Sequence, residues 1–225
     1  DISVAAGLTT QGFFMQGQLA DFDNDGYLDV LHAGGSYGYY HNNGNGTFTS
    51  GQSLSSYNGV TLGDLDGDGD LDAFMAKGEG SRPNQVWLNN GSGTFSNSGL
   101  SLGTLYSWDA ALGDLDGDGD SDIITSTVGT LYVGAALHII ENLGNRQFKS
   151  RALLVYNEPP ATSEGVRNCH RETEANACNG YVLNLHLRDV NSDGKIDLMM
   201  IGQDKYTNTV YTNMGNFNWC INFVR

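Results

Sequence analysis

Four short acidic stretches carry the residues best suited to chemistry: Asp21–Asp29, Asp64–Asp72, Asp114–Asp122 and Asp189–Asp197. In the first, carboxylates stand at loop positions 1, 3, 5 and 9, as Asp21, Asp23, Asp25 and Asp29, with Gly26 at position 6. The second repeats this with Asp64, Asp66, Asp68 and Asp72, and the third with Asp114, Asp116, Asp118 and Asp122. The fourth has Asp189, Asn191, Asp193 and Asp197. Carboxylates crowded into nine residues repel one another unless a cation sits among them. A hard divalent cation takes six to eight oxygens at about 2.3–2.6 Å, which alternate aspartates on a tightly curled loop can supply. Position 7 would add a backbone carbonyl, leaving its side chain free to vary; it is Tyr27, Asp70, Asp120 and Lys195. The chemistry expected is calcium binding, about one ion per loop, weaker in the fourth because Asn191 keeps an oxygen and loses a charge.

The elements around the loops read as strands. Apolar and β-branched runs flank each loop, Val60-Thr61-Leu62 before the second and Ala73-Phe74-Met75-Ala76 after it, for example. A further strand follows, then an Asn/Gly turn: Asn43-Gly44-Asn45-Gly46, Asn89-Asn90-Gly91, Asn142-Leu143-Gly144 and Asn213-Met214-Gly215. Each unit is strand, acidic loop, strand, strand, turn, strand, and no apolar period of helical length interrupts them. A four-stranded unit repeating every 40–50 residues is the pattern of propeller blades, which must stack to bury their faces. The expected fold is all-β, a propeller-like array of four blades in one domain over residues 1–225. A polar insertion at about 157–180, with Pro159-Pro160, Cys169 and Cys178, lengthens the third interval. Residues 1–8 read as an extra N-terminal strand, the last strand of a preceding unit.

The strand–DxDxDGxxD–strand unit with its Asn-Gly turn resembles the FG-GAP/VCBS repeat, over most of the chain outside the insertion. That resemblance implies a calcium-bearing β-propeller, an extracellular setting and a binding or adhesive role. One departure is that such propellers commonly have more blades, often seven. The EF-hand loop shares the first nine positions but needs a glutamate at position 12 and flanking helices. Position 12 here is His32, Met75, Thr125 and Met200, so the EF-hand is rejected.

Composition narrows the function classes. The formal net charge is −15, and 17 of the 26 acidic residues lie in the four loops. Four divalent ions would bring the charge to about −7, ordinary for a soluble domain. No basic stripe exists to neutralise phosphates, which excludes nucleic acid as the expected partner, and no apolar run has the length of a membrane span. The chain begins at Asp1 with no signal-like segment and reads as a processed or trimmed form. A Cys169–Cys178 disulfide is favoured over two free thiols, and Cys220 reads as a buried small side chain.

Other candidates are weaker. Gly99-Leu100-Ser101-Leu102-Gly103 formally matches a nucleophile elbow but lies in an all-β context, and no catalytic constellation accompanies it. Asn45 and Asn90 match the glycosylation sequon inside the expected turns. The histidines are scattered, and His41 reads as a solvated strand end. Tyr37, Tyr39, Tyr40, Trp87, Tyr106, Trp108 and Tyr132 are candidates for stacking on sugar rings. The expected function is that of a secreted, calcium-stabilised module, not an enzyme, binding carbohydrate or a surface glycoprotein. The alternative is an assembly subunit that joins copies of itself through an exposed edge strand.

Overall fold

The computed structural model describes residues 6–8, 16–33, 38–54, 58–77, 83–102, 106–128, 135–155, 182–202, 209–215, 217 and 219–223. They form strands and connecting turns, and no helix among them is long and apolar enough to cross a membrane. The strands fall into four antiparallel meanders, each in strict chain order. Sheet 1 is β1 (Gln16–Ala20), β2 (Asp29–Ala33), β3 (Tyr39–Asn42) and β4 (Phe48–Ser50). Sheet 2 is β5 (Gly59–Gly63), β6 (Asp72–Ala76), β7 (Gln85–Asn89) and β8 (Phe95–Asn97). Sheet 3 is β9 (Tyr106–Gly113), β10 (Asp122–Val128), β11 (Ala135–Asn142) and β12 (Phe148–Val155). Sheet 4 is β13 (Val182–Arg188), β14 (Asp197–Gly202), β15 (Thr209–Asn213) and β16 (Trp219–Phe223).

Each acidic loop joins the first two strands of a sheet, and each Asn/Gly turn joins the last two. In a meander these two connections fall at the same end, so every sheet presents loop and turn together on one rim.

Three apolar clusters lie between consecutive sheets. Ala20, Phe22, Leu31 and Tyr39 of sheet 1 meet Val60, Ala73, Met75 and Phe95 of sheet 2. Phe74, Val86 and Leu88 of sheet 2 meet Ile123 and Ile140 of sheet 3. Ile124, Leu137 and Ile139 of sheet 3 meet Leu185, Leu198 and Met200 of sheet 4. The middle sheets are apolar on both faces because both are covered; β6 is buried along its whole length. Near the start of the first strands a polar chain runs across the stack. Gln16 Oε1 accepts from Val60 N at 2.9 Å, and Gln16 Nε2 donates to Asp109 Oδ1 at 3.1 Å. Asp109 Oδ2 accepts from Leu185 N at 2.8 Å. Burial raises the Asp109 pKa, and these donors work against that rise.

A second, repeated polar bond marks each junction. The asparagine ending the third strand of one sheet donates from Nδ2 to the position-2 carbonyl of the previous sheet's loop. The pairs are Asn89 to Phe22 O (2.9 Å), Asn142 to Leu65 O (3.2 Å) and Asn213 to Leu115 O (2.8 Å). The position-2 side chains beneath are sealed: Phe22, Leu65 and Leu115 are 1%, 0% and 2% exposed. Val190, their equivalent in the last loop, is 44% exposed because no further described sheet covers it.

Several expectations are corrected here. Tyr39 and Tyr40 are buried, so they are not sugar platforms: Tyr39 belongs to the first cluster, and Tyr40 stacks on His32 at 5.8 Å between centroids. Trp87 is half-buried against the same cluster. The extra N-terminal strand is not a strand in its described part; Ala6–Leu8 form a turn whose Ala6 carbonyl accepts from Phe48 N at 2.6 Å. Residues 1–5, the insertion at 157–180 with Cys169 and Cys178, Tyr37 and Tyr132, and the side chains of Tyr106 and Cys220 lie outside the described residues.

The junction asparagines differ in a testable way. Asn142 is 2% exposed and its Nδ2 serves both Leu65 O and Ser121 O, so Asn142→Ala strands two carbonyls. Asn42 has no preceding sheet among the described residues, and its Nδ2 donates to Leu28 O in its own loop. Denaturant unfolding is expected to show Asn142→Ala losing about 2–4 kcal/mol and Asn42→Ala about 1 kcal/mol or less. Equal losses would contradict the junction role.

Candidate metal centre

The loops are built on their own aspartates before any ion is considered. The position-1 carboxylate accepts from amides across the loop. Asp21 takes Asp25 N and Gly26 N at 3.1 and 2.9 Å, and Asp64 takes Gly67 N and Gly69 N at 2.7 and 3.0 Å. Asp114 takes Gly117 N and Gly119 N, and Asp189 takes Asp193 N and Gly194 N. The curl places positions 4 and 6 at positive φ. Position 6 is Gly26, Gly69, Gly119 and Gly194. Position 4 is Gly67 and Gly117 in the middle loops, but Asn24 and Ser192 in the outer two. Ser192 holds a conformation disfavoured by about 1–2 kcal/mol for an ordinary L-residue.

Position 9 is different in kind. Asp29, Asp72, Asp122 and Asp197 are all 0% exposed. Each Oδ2 accepts from the position-2 amide of its own loop, at 3.2, 2.9, 2.9 and 3.0 Å. Each Oδ1 accepts from the backbone N–H of the asparagine ending the third strand, at 2.7, 2.9, 2.8 and 2.8 Å. In sheet 1, Tyr39 Oη also donates to Asp29 Oδ2 at 3.0 Å. Burial and Asp29 together push the Tyr39 pKa upward.

The position-7 side chains are not free to vary without consequence. Each lies against the turn glycine of its own sheet. A Cβ at Gly44 would fall 2.6 Å from the Tyr27 ring, one at Gly91 2.5 Å from Asp70, and one at Gly144 2.9 Å from Asp120. Lys195 stands beside Gly215 in the same way, at 3.6 Å.

The residues present fit a divalent cation. Carboxylate oxygens of Asp64, Asp66 and Asp72 lie within 4.8 Å of one another, as do those of Asp114, Asp116 and Asp122, and those of Asp21, Asp23 and Asp25. Ligands on opposite sides of an ion with bonds of about 2.3–2.6 Å stand up to about 5 Å apart, so these sets can converge on one ion. Asp23 Oδ1 and Asp66 Oδ1 are buried with no hydrogen-bond partner, an arrangement a bound cation would satisfy. Loop 4 is the outlier. Asp193 Oδ2 accepts from Asn191 Nδ2 at 3.2 Å and faces Lys195 Nζ at 3.7 Å. The Asp193 pKa is lowered, mainly by the Lys195 amide.

Three further residues reach the loops, and the sequence reading missed them as site residues. His41 Nδ1 stands 3.0 Å from Asp23 Oδ2 and 3.4 Å from Asp29 Oδ1, so His41 is part of loop 1 and not a solvated strand end. Arg146, in the turn of sheet 3, crosses to loop 2 and donates from Nε and Nη2 to Asp66 Oδ2 at 3.1 and 2.7 Å. Glu141 is 3% exposed near loop 3 and is held by Nε and Nη2 of Arg151. The strand register could have found two of them. Val30 pairs with Tyr40 and Ile123 with Ile140, which sets His41 opposite Asp29 and Glu141 opposite Asp122. Leu88 and Thr212 take that place in sheets 2 and 4.

The remaining candidates play other parts. Asn45 Oδ1 accepts from Thr47 N and Thr47 Oγ1, and Asn90 Oδ1 from Ser92 N and Ser92 Oγ, so both sequon asparagines shape their own turns. Ser101 is exposed in a connecting segment, beside the bridge from Leu102 to Asn84. His138 is buried with Nε2 2.8 Å from Ser150 Oγ, and burial lowers its pKa.

Burial raises the Asp72 pKa to about 6 and the Asp122 pKa to about 7, with neighbouring loop aspartates adding to the rise. The sign follows from linkage. A carboxyl whose folded pKa exceeds its unfolded value of about 3.9 favours the folded state below that value, and the benefit is lost as pH rises through the folded pKa. The chelated protein is therefore expected to lose stability between about pH 4 and pH 7. Affinity for a divalent ion should rise over the same window, because the ion displaces those protons. Thermal unfolding at pH 5 and pH 8, with chelator and with calcium, checks this. A chelated protein more stable at pH 8 than at pH 5 would contradict it.

Comparison with known proteins agrees with this geometry. No curated protein matches the chain. A family model described as an FG-GAP-like repeat matches twice, over residues 21–75 and 64–125. The first match runs from the start of loop 1 into β6 and the second from the start of loop 2 into β10, so each holds one loop-to-loop unit. Residues 21–125 therefore carry FG-GAP-like repeats, and the same loop, register and junction recur in sheets 3 and 4.

Proposed function

We propose that this chain is a secreted, calcium-stabilised binding module whose four sheets are blades of a propeller, with carbohydrate or a surface glycoprotein as ligand. FG-GAP repeats point to binding and adhesion, and the acidic loops can hold metal ions. In this reading calcium is structural and the loops carry one ion each, with loop 4 the weakest for its Asn191 and its Lys195 contact. The protein acts by binding, without catalysis, outside the cell.

The observation that carries the reading is where the exposed apolar side chains gather. Of the eight large exposed ones among the described residues, Tyr27, Leu28, Leu71, Leu143, Val190 and Met214 lie on the rim formed by loops and turns, and Leu19 and Ile201 lie within strands. Apolar groups collected on a rim that is otherwise acidic and polar suit a recognition surface. Tyr27, 48% exposed, offers the aromatic face that a sugar ring would stack on. It replaces the buried Tyr39 and Tyr40 in that role.

Removing calcium is expected to lower the melting temperature by well over 10 °C, since several kcal/mol of carboxylate repulsion returns and each kcal/mol is worth about 2–4 °C in a domain of this size. A glycan array with and without calcium tests recognition. Binding should vanish on chelation and fall about tenfold or more in Tyr27→Ala, in line with the loss of one stacking contact. An unchanged melting curve in chelator would remove the structural role of calcium, and an array that is blank with calcium present would remove the carbohydrate ligand.

One observation favours the second reading, self-assembly. Among the described residues the junction that joins consecutive sheets has no counterpart at either end: Val190 is exposed at one, and the Asn42 side chain turns to its own loop at the other. A copy docking head to tail would reproduce it, and repetition of that contact would extend into a filament. Light scattering decides: growth with concentration, lost in a Val190→Asp variant, supports assembly, and a monomer at all concentrations rejects it.

A further inference from the structure

Loop 1 differs from the other loops in one donor. Its partner residue across the hairpin is an imidazole, where loops 2, 3 and 4 face Leu88, Glu141 and Thr212. His41 Nδ1, Asp23 and Asp29 form a group with all three donor atoms within 4.8 Å, and Asp23 belongs also to the all-oxygen group with Asp21 and Asp25.

Two details set this apart from an ordinary histidine–aspartate pair. First, Nδ1 lies 3.0 Å from Asp23 Oδ2, yet it is buried and lacks the alignment a hydrogen bond needs, and the other Asp23 oxygen is also buried without a partner. Unaligned neighbours at this distance fit donors turned toward a common point between them. Second, the separations suit neighbouring ligands of one ion. Ligands bound at about 2.0–2.1 Å stand about 3.0 Å apart on an octahedron and about 3.4 Å apart on a tetrahedron. The observed separations are 3.0 Å to Asp23 and 3.4 Å to Asp29. Calcium, with bonds of about 2.3–2.6 Å and a preference for oxygen, gains least from the imidazole. Asp29 remains able to contribute, because each of its oxygens has two lone pairs and Oδ1 spends one on Asn42 N.

We propose that loop 1 is a mixed nitrogen–oxygen site, in which His41 Nδ1, Asp23 and Asp29 bind a divalent transition ion of the manganese-to-zinc class. It rests on the reading that loop 1 is an ion site at all. Loops 2 and 3, whose described donors are all oxygen, stay calcium sites. The protein then distinguishes two kinds of divalent ion through a single cross-strand residue.

The test uses the metal-stripped chain titrated with Co²⁺, Zn²⁺ and Ca²⁺, with His41→Gln and, as a control for the exposed His186, His186→Gln. Calorimetry should show one Co²⁺ or Zn²⁺ site that weakens by about tenfold or more in His41→Gln, the size of loss seen when a metal's histidine environment is disrupted. That site should be unchanged in His186→Gln, and Ca²⁺ affinity should move less than threefold in either variant. If His41→Gln fails to fold, the wild-type chain still decides: Zn²⁺ should shift the His41 Nδ1 nitrogen resonance more than that of any other histidine. The proposal falls if Zn²⁺ saturates without moving His41. It falls equally if His41→Gln tightens every divalent ion alike, which would make the imidazole a counter-ion. Failure of Ca²⁺ as well as Zn²⁺ to bind loop 1 would overturn the calcium reading together with this one, whereas normal Ca²⁺ binding with no His41 response overturns this one alone.

Discussion

Everything in this fold depends on a carboxylate that is taken out of water and given a backbone donor on each oxygen. The position-9 aspartate of each loop is buried, and a charge so placed is costly unless donors surround it. Here the donors are two backbone amides from different parts of the sheet, the second residue of the loop and the end of the third strand. The aspartate therefore fixes the hairpin to the loop. The same third-strand asparagine then reaches with its side chain to the previous loop. The result is one hydrogen-bonded path through the stack: Asp29, Phe22, Asn89, Asp72, Leu65, Asn142, Asp122, Leu115, Asn213 and Asp197. Apolar clusters between the sheets supply the bulk of the burial energy, and this path sets how the sheets register against one another.

Upon that constant frame the chain varies a few positions, and they tune each loop separately. The residue facing position 9 is an imidazole, an aliphatic side chain, a carboxylate or a hydroxyl. The turn of the following sheet contributes Gly93 to loop 1, with its amide on Phe22 O at 3.0 Å, and Arg146 to loop 2. Gly93 could not be larger, since a Cβ there would lie 2.6 Å from Tyr39 Oη. At the corresponding place above loop 3 stands Phe217, with the Arg151 guanidinium 5.5 Å from its ring centre. Arg151 holds Glu141 at the same time, which compensates the extra carboxylate beside Asp116 and Asp122. Four loops with one backbone path thus have four electrostatic settings.

Much of this was legible in the sequence because it is local. The aspartate spacing, the glycine at position 6 and the Asn/Gly turns each impose a backbone shape within a few residues, and the four-stranded unit follows from their order. What was hidden depends on register and stacking. His41 looked like a solvated strand end until the pairing of Val30 with Tyr40 set it opposite Asp29. Tyr39 and Tyr40 looked like surface aromatics because nothing local says that one faces the next sheet and the other His32. Arg146 acts 80 residues from its partner, and no local pattern carries that distance. The junction asparagines were visible as turn residues, but their side chains serve a neighbouring repeat. A repeat read singly does not disclose what it does to the next one.

The acidic loops of sheets 1, 2 and 3 are the joints between consecutive sheets. Native-state hydrogen exchange with and without calcium tests this most directly, read at the amides of Leu65, Leu115, Asn89, Asn142 and Asn213 and at strand centres such as Ile124 and Ile139. Chelation is expected to strip protection first, and together, from the joint amides, while the strand centres keep theirs until global unfolding. Joint amides that stay protected in chelator while the strand centres open would contradict it.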